Sequence, residues 1–173
     1  MNTPSLHPII QDLVDTLVQG YNLIESMDDC TYVSVPTHVK ASSIGAHYRH
    51  HLEHVQILLQ NLHDTTVDYD CRPRSCKIEQ DRQFALCYTQ KLIEQIKNLT
   101  EHDLDKTLVV AHRTCTQDET RCAPSTLRRE ILFLVSHTIH HYALIKLIAE
   151  SFGAHIHKHF GVMPSTLVHL NQN

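Results

Sequence analysis

The stretch LRREILFLVSHTIHHYALIKLIAESF, residues 127–152, decides how this chain folds. It follows Pro124-Ser125 and stops at Gly153, where a left-handed glycine ends many helices. Leu127, Ile131, Leu132, Phe133, Leu134, Val135, Ile139, Ala143, Leu144, Ile145, Leu147 and Ile148 point almost all round a helix. A helix apolar on every side is a central, buried one. Yet His137, His140 and His141 lie within it. Polar groups in a core cost free energy unless they are satisfied.

Working outward, three further helical stretches can supply the cover. The first runs from about Ser5 to Met27, with Ile9, Leu13, Leu17, Tyr21 and Ile24 on one face, and the pattern breaks around Pro36. The second starts at Ser42 or Ser43, either a good N-cap, and continues to about His63. Its stripe is Ile44, Tyr48, Leu52, Val55, Leu59 and Leu62. Asp64 to Arg74 reads as loop. The third runs from Ser75 to about Asn98 on Ile78, Phe84, Ala85, Tyr88, Leu92 and Ile96. Between Thr107 and Cys122 the β-like run Leu108-Val109-Val110 and a polar tip suggest a small hairpin. The tail from Phe160 to Leu170 adds one helical turn after Pro164. The expected fold is all-α: residues 1–173 as a single four-helix-bundle domain, with a small hairpin between helices three and four.

Composition agrees with one globular domain. The chain has 173 residues, 42% hydrophobic and 20% charged, with four glycines and no tryptophan, and few glycines suit long helices. A net charge of −4 argues against nucleic acid as a partner. The first residues lack a basic segment followed by an apolar one, and no apolar run approaches a membrane span. The expectation is a cytoplasmic protein with no membrane partner, whose six cysteines are mostly reduced. No CxxC pair is present, which argues against a zinc ribbon. Cys115 and Cys122 flank the polar tip near His112, and Cys71 and Cys76 lie close together in the chain; for both, an accidental pair is the preferred reading over a second metal site or a redox pair.

Sixteen histidines are the unusual feature. Residues four apart share a helix face, so His137 and His141 can aim at one point. HxxxH on a helix presents two nitrogens to a transition metal, and Thr138 excludes the HExxH protease pattern. The second helix carries His47, His50 and His54 on one face, with His51 on the apolar stripe. The two faces together form a constellation for one metal between helices. The competing reading is a solvated histidine face opposite hydrogen-bonded core histidines. Periodicity does not choose among His47, His50 and His54. Three imidazoles leave a coordination position open for water or substrate. Zinc fits best, with nickel and iron as alternatives.

Ser43-Ile-Gly-Ala-His-Tyr-Arg-His50 with Glu53, then Arg129-Glu-Ile-Leu-Phe-Leu-Val-Ser-His137-Thr-Ile-His-His141, resembles the DinB-like superfamily of metalloenzymes. VDYDCRPR at 67–74 and FGVMPSTL at 160–167 resemble segments of one subgroup. The resemblance spans nearly the whole chain. It implies a metal held by His50, His137 and His141, with Glu53 in support or as a surface charge. Crowding by His47, His51, His54 and His140 departs from the pattern. The resemblance further implies a homodimer and, in some relatives, transfer of low-molecular-weight thiols.

The functional expectation is a metal-dependent enzyme, thiol S-transferase-like or hydrolase-like, acting on a small molecule. The alternative is a non-enzymatic metal or ligand binder, a sensor or store, with His54 or His47 completing the ligand set. Tyr69, Arg72 and Arg74 are candidates to grip a substrate, against a reading as structural loop residues. His155, His157 and His159 read as an exposed loop able to scavenge metal.

Overall fold

The computed structural model describes residues 6–37, 42–113 and 119–170. Four long helices carry the core: α1 (Pro8–Ser26), α3 (Ile44–Gln60), α5 (Arg82–Lys97) and α7 (Leu127–Ser151). Short helices α2 (Asp29–Val33), α4 (Cys76–Gln80), α6 (Glu101–Leu104) and α8 (Pro164–Leu170) fill the connections. Each long helix starts on a side chain that accepts from an otherwise unpaired amide. His7 caps α1, Ser43 caps α3 through the Ala46 amide, Asp81 caps α5 and Thr126 caps α7.

The all-α four-helix-bundle expectation is wrong. Strands β1 (Thr66–Asp68), β2 (Thr107–Arg113) and β3 (Thr120–Thr126) form a mixed sheet in the order β1-β2-β3. β1 runs parallel to β2, with Val67 opposite Val110, and β2 runs antiparallel to β3, with Val110 opposite Ala123. The hairpin extends past Cys122 to Thr126, so Pro124-Ser125 belongs to a strand. β1 hides from periodicity because it has three residues and only Val67 is buried. β3 hides because it is polar and holds Pro124, which an edge strand tolerates. The tip residues 114–118, Cys115 among them, lie outside the described residues.

The third expected helix is two. Asp81 takes an extended backbone, φ −120° and ψ 98°, between α4 and α5, because its carboxylate turns back to cap the Phe84 amide.

α7 lies against α1 and α3, and α5 against α1 and α3. The core joins Leu13, Leu17, Leu52, Val55, Leu92, Ile131, Leu134 and Ile145. α7 is not buried on every side: Leu132 is 48% and Leu147 63% exposed. It is also long and apolar enough to cross a membrane, which corrects the expectation that no stretch approaches that length; half of that window is buried within the fold. Close approach of α1 and α7 depends on Gly20. A Cβ there would collide with the Tyr142 hydroxyl, which donates to the Thr16 carbonyl at 3.0 Å.

Candidate metal centre

α3 and α7 pack side by side, and their helical periods bring five imidazoles to one seam: His47, His50 and His54 from α3, His137 and His141 from α7. Ring centroids lie 4.5 Å apart for His50–His141, 4.7 Å for His137–His141 and 5.2 Å for His50–His137. His54 joins at 4.3 Å from His137 and 4.5 Å from His50. One ligand nitrogen each from His50, His54 and His137 falls within 4.8 Å of the other two.

Burial favours the neutral form of these rings. Burial lowers the pKa of His50 to about 3, with the fields of His54 and Arg72 adding. Burial also takes His54 and His137 to about 4 and His141 to about 2. A neutral imidazole has a free lone pair, the form that ligates a metal. Nε2 of His137 is buried with no hydrogen-bond partner among the described residues. Such an orphan is costly unless something outside the protein satisfies it.

The remaining nitrogens sort the cluster. Nδ1 of His141 lies 3.1 Å from Nδ1 of His47, a contact that holds the His141 ring and occupies that nitrogen. Nδ1 of His54 donates to the His50 carbonyl at 2.8 Å, which leaves Nε2 as acceptor. That Nε2 faces Nη1 of Arg72 at 3.3 Å, and a guanidinium beside a lone pair disfavours a cation there.

Sequence reasoning placed His50, His137 and His141 together, and the structure brings all three to this seam. His140 is exposed and meets the cluster only from its rim, with its ring edge-on to His141 at 5.4 Å. His51 is fully buried between Tyr48 and Tyr142, edge-on to both rings, and neither of its nitrogens has a hydrogen-bond partner among the described residues. Glu53 is 1% exposed, which excludes a surface charge; it accepts from the Ser75 amide at 2.6 Å.

Tyr69 is buried and stacks on His54 at 5.2 Å. Its hydroxyl donates to Glu130 at 2.9 Å, and Glu130 also accepts from Ser125 at 2.5 Å and Arg129 at 2.8 Å. Sequence reasoning missed this buried carboxylate, although a glutamate within the apolar run of α7 was a readable signal. Beside it, a cavity of about 200 Å³ is lined by His54, Tyr69, Val110, His112, Arg129, Glu130 and Phe133. Larger surface hollows lie away from the imidazoles, such as one lined by Val33, Ser43 and Glu79. Arg74 is exposed and Cys71 donates to Asp68, so neither reaches the seam.

A protein of Rhizopus delemar named FK506-binding protein 5 is 34% identical over 109 residues, 62% of this chain. The match spans 28% of that protein's length. No family model matches the chain, and no solved structure matches it. These findings overturn the DinB-like resemblance, since the relative found carries another family's name. Ser–x₆–His and HxxxH segments suit any pair of helices that presents imidazoles to a shared seam, so their spacing is not family-specific. The preference for His50 over His47 and His54 rested on that resemblance and loses that support; the nitrogens close enough to share an ion are those of His50, His54 and His137.

Proposed function

We propose that this chain binds one divalent transition metal at the α3–α7 seam, zinc above nickel or iron, and uses it in a transferase- or hydrolase-like reaction on a small molecule. The observation that carries the reading is the partnerless, buried Nε2 of His137 within a group of neutral imidazoles. His50, His137 and His141 are the proposed ligands, because Arg72 stands at the free nitrogen of His54.

When bound, the metal would supply Lewis acidity at an open position. The protein's own residues do the rest. His47 orients His141, and burial keeps the rings unprotonated. Glu130 anchors Tyr69, whose ring holds His54 flat against the cavity wall. The cavity beside His54 has room for a small substrate only.

One observation favours a second reading. His54 lies close enough to His50 and His137 to act as a further ligand, which would close the coordination sphere and make the protein a metal store or sensor.

Metal content of dialysed protein tests the proposal. About one metal per chain is expected, with strong loss in His50→Ala, His137→Ala and His141→Ala at retained helicity. Retention in His54→Ala supports the open site; loss there moves the assignment to the closed one. Wild type that takes up no zinc, nickel or iron sinks both.

A further inference from the structure

The candidate ligands of the imidazole seam are imidazoles and include no carboxylate. Arg49 pairs with Glu79 at 3.1 Å. Arg72 feels the field of Glu53, whose Oε1 accepts from the Ser75 amide and whose buried Oε2 has no partner among the described residues. Asp70, the other carboxylate acting on Arg72, accepts from the Arg113 amide at 2.8 Å and lies 3.4 Å from His112 Nδ1. A divalent ion on neutral imidazoles therefore arrives with two charges that its ligands do not offset. In a half-buried site such charge is expensive to leave unpaired.

Arg72 stands beside this position with unused capacity. Both of its hydrogen-bond contacts run through Nη1: one to the Tyr69 carbonyl at 2.9 Å, one to His54 Nε2 at 3.3 Å. Both partners are neutral. Nε is buried and has no partner among the described residues. A guanidinium offers five N–H donors in a rigid fork that matches a carboxylate, so a half-used fork beside a metal position is a seat for an anion.

We propose that the substrate of this site is a small anion, with a carboxylate or equivalent group paired to Arg72 while its reacting end reaches the open position. The proposal rests on the metal reading above and narrows the substrate class from any small molecule to an anionic one.

Acetate and its neutral isostere acetamide, titrated into the cobalt(II)-loaded full chain and followed by visible absorption, test it. Acetate is expected to bind at least about tenfold more tightly than acetamide in wild type. Arg72→Gln is expected to weaken acetate by about tenfold while cobalt stoichiometry stays unchanged. If circular dichroism shows that Arg72→Gln is unfolded, Arg72→Lys carries the test. It keeps the charge but loses the fork, and a drop of about threefold is expected. Equal binding of acetate and acetamide, or acetate affinity unmoved by the folded variant, overturns the anionic substrate and leaves the metal site standing. Wild type that takes up no cobalt overturns the metal site and this inference with it.

Discussion

His47, His50, His54, His137 and His141 crowd one seam between α3 and α7, while His155, His157 and His159 follow one another along the segment after α7. Both regions are rich in imidazole, yet their physics differs. In the seam, two helices bring rings from positions about ninety residues apart into contact, such as His47 with His141, and burial strips their protons. In the tail, His155 and His157 are exposed: the backbone is held by Lys146 and by the buried Ile156 and Phe160, while the His157 ring meets only its neighbour, accepting at Nδ1 from the His159 amide at 3.3 Å. The seam is organised before any ligand arrives, whereas the tail would pay ordering entropy to converge on one. Preorganisation and desolvation, rather than histidine number, separate a site from a sticky segment.

The largest expected effect would break this comparison outright if it failed. His50→Ala combined with His137→Ala should reduce metal affinity at least about 100-fold by equilibrium dialysis. The triple change His155→Ala, His157→Ala, His159→Ala should leave the stoichiometry at one. Loss of metal in the tail variant alone would reverse the assignment.

Acidification gives the next effect. The seam imidazoles titrate well below their unfolded value of about 6.5. Below that pH the unfolded chain takes up protons that the folded one does not, so stability is full above pH ~6.5 and is lost as pH falls towards the folded pKa values. With chelator present, Tm should drop by at least about 5 °C from pH 7.5 to pH 5. A flat profile would mean that the seam is already protonated or open to water.

Gly20→Ala sharpens the comparison from behind the seam. It should push Tyr142 away from α1 and loosen the wall against His51, lowering stability by about 1–3 kcal/mol in urea unfolding. The smallest effect belongs to the tail, where the triple alanine change should stay within about 0.5 kcal/mol of wild type. A larger loss would show that the tail packs more firmly than its exposure indicates.

Much of this was legible in the residues. Tyr48, Leu52 and Val55 set the buried face of α3, and the i, i+4 spacing of His137 and His141 put both rings on one side of α7. Those are local regularities, which a period of 3.6 exposes. Other features escaped for equally physical reasons. Val67 pairs in register with Val110 only after three helices return the chain, and a three-residue strand has no period. Asp81 could equally have stayed inside a helix until its side chain chose the Phe84 amide. Glu53 and Glu130 are buried carboxylates whose partners, the Ser75 amide and the Tyr69 hydroxyl, come from remote segments.

The sequence by itself determined the four long helices and the histidine faces on two of them. Only the tertiary structure decided that a mixed sheet braces α7, that His140 faces out, and that Arg72 stands at the free nitrogen of His54. Helix faces follow from nearest neighbours along the chain. Which faces meet, and which charge stands beside which lone pair, depends on the packing of distant segments.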